Sequence, residues 1–372
     1  MINVLHLINI TGGGGTESYI YSLAKKLHNN RCRFFLAYSK EGPTLKLFQD
    51  LGIETIHLPM NNPYDINAAK NLKAICKEKS IDVVHTHFLR ENYISILSKA
   101  LGNKSTLINT RHMLFKNSKS VIYVNKIMTN FNYKIIAVSE AVKSALLNEG
   151  IKKNKIRLIY TGIDLDNWKH TKSFNFRNEF NIGKEDLVVA SVARFTEEKG
   201  HSYFLQSIAR MKELLSTEDV NNIKVKFVLI GTGKLLDESI KLAKDLNVFD
   251  DIIFTGYRND INNILRDCDL FVSHSQSEAF GISILEALAS GLPVITTDSG
   301  GSREIIDNDS DCGILIEYGN VDQLAKSLLQ LLKDENLRNS YSENGLKLVH
   351  EKFSLDNTIE ETYKLYSSNR NF

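Results

Sequence analysis

The chain has 372 residues, 42% of them hydrophobic and 24% charged, with a formal net charge of +2. These values predict a globular protein of two ordinary domains and exclude a long disordered segment. The four cysteines have no metal-ligand spacing, which is typical of the reduced thiols of a cytoplasmic protein. We expect the N-terminal segment to form a strand and not a signal peptide, and no apolar run approaches the roughly 20 residues that cross a bilayer.

Charge is unevenly distributed along the chain. Residues 1–164 carry 23 Lys and Arg against 11 Asp and Glu, and the remainder carries 23 against 33. The imbalance is greatest in residues 101–160, whose only acidic residues are Glu140 and Glu149. Such a stretch predicts either a surface for an anionic partner, such as phospholipid headgroups, a lipid-diphosphate carrier or nucleic acid, or a merely solvated face. No motif for nucleic-acid binding accompanies it, so we expect no nucleic-acid partner.

Short apolar runs alternate with amphipathic stretches in two successive series. In the first, strands are predicted at Val4–Ile10, Arg33–Tyr38, Asp82–His87, Leu107–Thr110, Ile135–Ser139 and Lys155–Tyr160, with helices at Ser18–His28 and Ile66–Lys79. In the second, strands are predicted at Leu187–Val192, Val225–Ile230, Ile252–Phe254, Leu270–Ser273, Val294–Thr297 and Gly313–Ile316, with helices at Ser202–Leu215, Leu235–Leu246 and Ser283–Ala289. Strands separated by helices indicate parallel sheets covered on both faces.

The pattern predicts an α/β protein of two doubly wound, Rossmann-like domains. A turn at Gly162–Asp164 and a polar stretch to about Gly183 mark a hinge between them. We assign residues 1–165 to the first domain, 166–352 to the second, and 353–372 to a final helix (Leu355–Tyr366) that packs back on the first. Ligands of such sheets bind beyond the carboxyl ends of the strands, so two facing domains predict a site in the cleft between them.

Four consecutive glycines, Gly12–Gly15, join the first predicted strand to the first predicted helix. Glycine lets backbone amides approach a ligand, and a helix N-terminus adds donors and positive potential suited to a phosphate. The run is neither G-x-G-x-x-G nor a P-loop, because Glu17 or Ser18 stands where a third glycine is required and no Gly-Lys-Ser/Thr follows. A tight structural turn also fits, but the position after the first strand favours a ligand-binding loop.

The most informative segment runs from Ser277 to Val294. Glu278 follows the strand Leu270–Ser273, Gly281 precedes a helix, and Glu286 falls about one turn into that helix. Amides at the helix start can hold a diphosphate. Two carboxylates beside an anion make sense if each accepts hydrogen bonds from the hydroxyls of a sugar and a ribose. Taken alone, Glu286 equally fits an ordinary surface position.

Cations for such a diphosphate follow the first strand of the second series. Arg194 and Lys199 lie beyond its carboxyl end, where they can neutralise a diphosphate and the charge of a leaving group. Gly231-Thr232-Gly233 follows the next strand and permits another close approach of backbone.

In combination these features closely resemble the family 4 retaining glycosyltransferases, which have the two-Rossmann-domain GT-B fold. In the second half the matching residues are Arg194, Lys199-Gly200, Gly231-Thr232-Gly233, Phe254-Thr255-Gly256-Tyr257, Glu278-x7-Glu286 and Ser299–Glu304. In the first half they are Gly12–Gly15 with Glu17, Asp82–His87, Val138-Ser139-Glu140 and Gly162-Ile163-Asp164. The resemblance covers nearly the whole chain, although each motif is specific only in combination with the others.

The resemblance implies roles for particular residues of a donor site. Glu278 would bind the transferred sugar and Glu286 the ribose, while Arg194 and Lys199 would bind the diphosphate. The other donor-binding positions that it implies are Gly14, Gly15, Gly231, Gly233, Tyr257, Phe280, Gly281 and Ile282.

The resemblance also implies a catalytic histidine in the first domain. His112 follows the strand Leu107–Thr110 and would lie near the donor sugar when the cleft closes. A lone histidine is often structural, but this position favours a catalytic one. His85 and His87 are weaker candidates.

We expect the reaction to need neither a cofactor nor a metal ion. The literal Asp-x-Asp, Asp267-Cys268-Asp269, enters an apolar strand, and we interpret it as structural. The transition state of glycosyl transfer resembles an oxocarbenium ion, so leaving-group charge must be stabilised, and Arg194 and Lys199 can do this in place of a metal. We expect front-face transfer with retention, because no carboxylate nucleophile can be assigned.

The resemblance leaves the substrates open. The expected donor is a UDP-sugar carrying a hexose or N-acetylhexosamine, and the expected acceptor is a glycan or lipid-linked hydroxyl of bacterial surface polysaccharide or glycolipid assembly. The rival interpretations are another GT-B enzyme class, such as a sugar-nucleotide epimerase, and a non-catalytic protein that binds nucleotide sugars. We expect a cytoplasmic protein that contacts the anionic inner face of the cell membrane through residues 101–160.

Overall fold

The computed structural model describes residues 1–114, 117–169, 176–217, 223–307 and 310–368. The chain divides into two compact units, Met1–Gly162 together with Leu355–Phe372, and Ile163–Ser354. Each unit has its own sheet, and its hydrophobic core residues come from that unit alone. Within the described ranges, no helix combines the length and the apolar content that a membrane span requires.

The first unit alternates strands with helices. Its elements up to Gly162 are β1 (Ile2–Ile10), α1 (Gly15–Leu27), β2 (Cys32–Lys40), α2 (Leu45–Asp50), β3 (Glu54–His57), α3 (Ile66–Glu78), β4 (Val83–Thr86), α4 (Leu89–Ala100), β5 (Thr106–Arg111), α5 (Lys119–Met128), β6 (Lys134–Ala137), α6 (Glu140–Asn148) and β7 (Ile156–Leu158). All strand pairs are parallel, in the order β3-β2-β1-β4-β5-β6-β7. The order reverses between β1 and β4, which is the topological switch point where such sheets bind ligands.

The two faces of this sheet are buried in separate cores, because successive side chains of a strand point to opposite sides. Ile2, Val4 and Ile8 of β1 join the core that contains residues of α1. Leu5 and Leu7 join the core that contains residues of α3 and α4. Burial on both faces explains why the sequence of β1 is almost continuously apolar.

The second unit repeats the same plan. Its elements are α7 (Asp166–Lys169), α8 (Phe176–Glu179), β8 (Leu187–Val192), α9 (His201–Thr217), β9 (Val225–Ile230), α10 (Leu236–Asp245), β10 (Ile252–Gly256), α11 (Ile261–Arg266), β11 (Leu270–Ser273), α12 (Ile282–Ala289), β12 (Val294–Thr297), β13 (Gly313–Ile316), α13 (Val321–Lys333) and α14 (Glu335–Lys352). Its parallel strands follow the order β10-β9-β8-β11-β12-β13, so the switch point lies between β8 and β11.

The last helix, α15 (Leu355–Ser367), belongs to the first unit. Ile359 and Tyr366 join the same core as β1 and α1. The hydroxyl of Thr358 donates to the carbonyl of Tyr160 and accepts from the amide of Gly162, both at 2.7 Å. The chain therefore leaves the first unit after Gly162 and returns to it at Leu355.

The observed bounds agree with the predicted ones to the residue for β8, β9, β11, β12 and β13. Strand β3, an edge strand with no buried residue, has no counterpart among the strands predicted from the sequence. The predicted hinge, to about Gly183, contains the short helices α7 and α8, and its residues 170–175 lie outside the described ranges. Lys116, in the basic stretch, also lies outside them.

Candidate functional site

The switch point of the second unit brings together the loops after β8 and β11. Lys199 follows β8 and Glu278 follows β11, and the Lys199 Nζ donates to Glu278 Oε1 at 2.5 Å. The Ser275 hydroxyl donates to the same oxygen at 2.9 Å. Only 16% of the Lys199 side chain and 15% of the Glu278 side chain are exposed, so water screens this ion pair less than one at the surface. Two of the predicted site residues, 79 positions apart, are thus in direct contact.

The backbone on both sides of this ion pair is fixed by hydrogen bonds. The Glu278 amide donates to the Ser299 carbonyl at 2.7 Å, and the Gly301 amide donates to the Glu278 carbonyl at 2.9 Å. A Cβ on Gly301 would lie 2.3 Å from the Ala279 carbonyl oxygen, so only glycine permits this approach of the two loops. The predicted Gly-Gly turn after β12 therefore supports the loop that carries Glu278.

A buried histidine that the sequence analysis does not single out positions Lys199. His274 Nδ1 lies 2.6 Å from the Lys199 carbonyl, and its Nε2 lies 2.9 Å from the Ser191 hydroxyl. A carbonyl can only accept, so Nδ1 carries the proton and Nε2 accepts from the serine. Burial lowers the pKa of His274 well below its ordinary value, so the ring is neutral. Its position directly after a buried strand is the one sequence signal for this role.

Arg194 pairs with Glu198, whereas Lys199 pairs with Glu278. Its Nη2 is 3.7 Å from Glu198 Oε1, and 65% of its side chain is exposed. The glycines predicted to allow close approach pack against the same loop. A Cβ on Gly231 would lie 2.1 Å from the Ala193 carbonyl oxygen, and one on Gly233 would lie 2.4 Å from that of Phe195. These contacts explain both glycines by packing between two loops, whereas their role in donor binding stays a prediction.

Helix α12 begins at the site and carries Glu286. Gly281 is its N-cap and has φ of +108°, a left-handed conformation that favours glycine. Glu286 is half-buried, and within the described residues its carboxylate has neither a hydrogen-bond nor an ion-pair partner. Burial raises its pKa to about 7. The Glu286 carboxylate lies one turn into a helix at the edge of the sheet where ligands bind. An acceptor group there that has no partner among the described residues is suited to hydroxyls of a bound molecule.

The remaining predicted residues of this unit differ in exposure. Phe280 is buried, and its ring meets that of Phe353 edge to face at a centroid distance of 5.5 Å. Ile282 is half-buried at the first turn of α12. Tyr257 follows β10 and is 63% exposed, which leaves its ring available for stacking.

In the first unit, the glycine-rich loop is closed by its own acidic residue. The amides of Gly12 and Gly14 donate to the two carboxylate oxygens of Glu17, at 3.1 and 3.2 Å. Glu17 is buried at the third position of α1, and its carboxylate accepts from the amide of the N-cap residue Gly14, which is one half of a capping box. The Glu17 carboxylate is thus bound to two amides of the loop that is predicted from the sequence to bind a phosphate. The donor-binding role of Gly14 and Gly15 stays a prediction.

Four histidines lie together at the switch point of the first unit. His6 Nδ1 is 3.0 Å from His87 Nε2, and His87 Nδ1 is 3.0 Å from His112 Nε2. His85 contacts two hydroxyls, with Nδ1 2.6 Å from Tyr366 Oη and Nε2 2.7 Å from Thr110 Oγ1. Burial lowers the pKa of His6 and His112 to about 3, and those of His85 and His87 well below the ordinary value. The predicted catalytic histidine therefore ends a row of neutral imidazoles.

Two groups of residues have the types that ligate metals. His6, His85 and His87 each place a ring nitrogen within 4.8 Å of the others, but both nitrogens of His85 and of His87, and Nδ1 of His6, take part in the contacts just described. Asp267 Oδ2 accepts from the Phe176 amide at 2.9 Å, and Asp269 Oδ2 accepts from the Val188 amide at 2.8 Å. The Asp-x-Asp carboxylates are thus tied to backbone, as a structural role requires.

Two family models match successive parts of the chain. Residues 13–167 match Glycosyltransferase Family 4, and residues 172–348 match Glycosyl transferases group 1. Together they span nearly all of both units.

Individual proteins are similar over most of the chain. The N-acetyl-alpha-D-glucosaminyl L-malate synthase of Bacillus anthracis is 26% identical over 82% of this chain and 79% of its own. The UDP-Gal:alpha-D-GlcNAc-diphosphoundecaprenol alpha-1,3-galactosyltransferase of Escherichia coli is 27% identical over 81% and 79%. The structure of Anabaena HepE in complex with UDP and glucose matches with a TM-score of 0.88 at 19% identity, over 99% of this chain and all of that one.

Proposed function

Because the chain belongs to family 4 of the glycosyltransferases, with the GT-B fold, we propose that it transfers a hexose or N-acetylhexosamine from a UDP-sugar to an acceptor hydroxyl with retention of configuration. One observation carries the proposal. Lys199 and Glu278 are in contact at the switch point of the second unit, and Glu286 offers its carboxylate from the helix that follows. A cation and helix amides can bind the phosphates of a sugar diphosphate, and two carboxylates can accept hydrogen bonds from its hydroxyls.

Each of these groups binds one part of the sugar-nucleotide donor. The Lys199 ammonium and the amides at the start of α12 bind the diphosphate, because a helix N-terminus carries partial positive charge. Glu278 then accepts hydrogen bonds from hydroxyls of the transferred sugar. Glu286 accepts from the ribose hydroxyls, and the exposed Arg194 turns from Glu198 to a phosphate oxygen. Charge-assisted hydrogen bonds of this kind are about twice as strong as neutral ones.

The reaction exchanges one bond of the anomeric carbon for another. The bond from that carbon to the β-phosphate oxygen breaks, and a bond to the acceptor oxygen forms on the same face. The acceptor proton passes to the departing phosphate, which leaves as UDP. Lys199 and the α12 amides stabilise the negative charge that develops on this leaving group, so the step needs no metal ion.

Substitution of the ion pair tests this function. Lys199→Ala removes a group that stabilises the leaving group and should lower kcat by about 10²- to 10³-fold. Lys326→Ala, on the exposed side of α13, is the matched control and should retain activity. The assay is a panel of nucleotide sugars with and without acceptor, read as UDP release, with the anomeric configuration of the product determined by NMR.

Three outcomes would contradict the proposal. Full activity of Lys199→Ala would remove the ion pair from the chemistry. An inverted product would refute retention, and strict loss of activity in EDTA would refute metal-independent transfer. Donor binding without either hydrolysis or transfer would instead support the rival interpretation, a non-catalytic nucleotide-sugar-binding protein.

The acceptor is proposed to be a glycan on a lipid carrier, reached by a protein that works at the inner face of the cell membrane. The name of the Escherichia coli relative includes a diphosphoundecaprenol acceptor. In this chain, Tyr123, Ile127 and Phe131 are spaced by four residues along α5 and the turn after it, with exposures of 67%, 47% and 50%. Lys119 and Lys126 belong to the same helix. Apolar side chains flanked by lysines favour the surface of an anionic bilayer.

Vesicle co-sedimentation tests the membrane contact. Binding to phosphatidylglycerol vesicles should exceed binding to phosphatidylcholine vesicles and should fall as salt rises. The double variant Tyr123→Ser with Ile127→Ser should weaken binding by about tenfold or more, because about 1 kcal/mol of apolar burial per side chain is lost. Leu346→Ser, at an exposed apolar position of the second unit, is the control. Equal binding to both vesicle types would refute the contact.

A further inference from the structure

The histidines of the first unit lie on one face of its sheet. His6 of β1 pairs in register with His85 of β4. His87 and His112 directly follow β4 and β5, and the contacts of His87 with His6 and with His112 bring both rings into the same row. The histidines thus lie on the face that also holds the core of β1, α1 and α15.

The hydrogen bonds of this row restrict where its protons can be. His6, His87 and His112 are linked by two nitrogen-to-nitrogen contacts of 3.0 Å each. Each contact needs one proton between its two nitrogens. Three neutral imidazoles carry three protons, so the third proton must lie at one end of the row, on His6 Nε2 or on His112 Nδ1.

The two ends of the row differ in their surroundings. His6 is buried, and its Nε2 has no hydrogen-bond partner in the part of the chain that the structure describes. A proton there would make a buried N–H donor without an acceptor, which is among the rarest features of folded proteins, whereas an unmatched acceptor is tolerated more often. His112 is only half-buried. The third proton is therefore favoured on His112 Nδ1.

We propose that His6 and His87 are positioning residues that hold His112 in the Nδ1–H tautomer, with its Nε2 accepting from His87. The proposal rests on the proposed function and on the catalytic role that the resemblance to family 4 implies for His112. His112 then has one chemical role, that of a hydrogen-bond donor. A ring whose Nε2 is engaged and whose Nδ1 carries the proton donates a hydrogen bond to an oxygen of a substrate and does not act as a general base.

The surroundings of the row keep its rings in place. The Tyr19 ring packs edge-on against His112 at a centroid distance of 5.1 Å and against His87 at 6.0 Å. His85 packs against His87 at 4.5 Å and is itself held by the hydroxyls of Tyr366 and Thr110. Tyr366 comes from α15, so the returning helix covers the buried side of the row. Burial and the neighbouring imidazoles both lower the pKa of His87, so they disfavour a positive charge on that ring.

Nitrogen NMR of the intact protein tests the tautomer directly. The ten histidines are labelled with nitrogen-15, and His112 is assigned by the signal lost in His112→Asn. Protonated and bare ring nitrogens resonate far apart, so one spectrum distinguishes the two tautomers. We expect a protonated Nδ1 and a bare Nε2 that stay unchanged between about pH 5.5 and 8, where an unperturbed imidazole titrates. A protonated Nε2, or titration in that range, would overturn the proposal whether or not the chain proves to be a transferase.

Variants of His87 separate positioning from mere packing. The side-chain amide of His87→Asn can still donate to His112 Nε2, whereas His87→Leu cannot. We expect His87→Leu to mix the tautomers of His112 and to lower kcat by about 100-fold with little change in KM, since a misplaced catalytic group costs about that much. His87→Asn should restore the tautomer and most of that loss. His350→Asn, at an exposed histidine of α14, is the control. A His87→Leu protein with an unchanged His112 spectrum and unchanged kcat would overturn the proposal.

Discussion

Replacing Glu286 by glutamine should make the free protein more stable and the donor complex weaker. The carboxylate is half-buried and has no hydrogen-bond or ion-pair partner within the described residues. Burial raises its pKa from 4.5 in the unfolded chain to about 7 in the folded one. A carboxylate held in this way destabilises the fold whenever it is ionised, and glutamine has nearly the same shape without the charge.

The size of the effect follows from linkage between protonation and folding. Each tenfold change in proton affinity corresponds to about 1.4 kcal/mol, so full ionisation above pH 7 costs at most about 3.4 kcal/mol of unfolding free energy. Water still reaches part of the side chain and screens its charge, so we expect a gain of about 1–2 kcal/mol for the glutamine variant. Because the folded pKa is the higher one, the penalty is full above pH 7, shrinks as the pH falls, and is absent below about pH 4.5.

Donor affinity should change in the opposite direction. Glutamine gives up charge-assisted hydrogen bonds to the ribose, worth about 1.5–3 kcal/mol, so the Kd for UDP should rise by about 10- to 100-fold. The assays are urea unfolding at pH 8 and pH 5 without ligand, and calorimetric titration with UDP. Glu343→Gln, at an exposed position of α14, is the control. A Glu286→Gln protein that is no more stable at pH 8, or that binds UDP normally, would refute the reasoning.

Three further substitutions test parts of the fold that support the two sites, each by its thermal unfolding. Gly281→Ala forces a side chain into φ of +108° and should lose about 1–2 kcal/mol, with weaker UDP binding; wild-type behaviour would show that this conformation is dispensable. Tyr366→Phe leaves the buried Nδ1 of His85 without the hydroxyl 2.6 Å away and should lose about 1–3 kcal/mol, and an unchanged midpoint would contradict that contact. Asp269→Asn weakens the bond to the Val188 amide and should lose about 1–3 kcal/mol without altering the response of activity to added Mg²⁺, whereas the loss of a Mg²⁺ stimulation that the wild-type protein shows would contradict the structural role.

Buried parallel strands and the motifs that follow them could be predicted from the sequence. Strands such as Leu187–Val192 are largely apolar because both faces are covered, and polar or glycine residues follow within one or two positions of their ends. Glu278, Gly281 and Glu286 lie where the sequence places them, after β11 and at the start of α12. Position relative to a strand end is a local property, and local patterns encode it.

Pairings between distant residues could not be predicted in the same way. The row of His6, His87 and His112 joins positions up to 106 apart in the chain, and only the order of β1, β4 and β5 in the sheet brings them together. The spacing of residues in the sequence does not predict which loop a side chain contacts across a switch point. Glu17 illustrates the same limit, since its capping of the glycine loop depends on the turn that the glycines adopt.

The central claim is that the switch point of the second unit holds the donor. A crystal structure of the intact chain with an unhydrolysed UDP-sugar tests it most directly. We expect Lys199 Nζ within hydrogen-bonding distance of a diphosphate oxygen, Glu278 on a hydroxyl of the sugar and Glu286 on the ribose hydroxyls. A nucleotide bound away from α12, or bound there without contact to Lys199 and Glu286, would contradict the account.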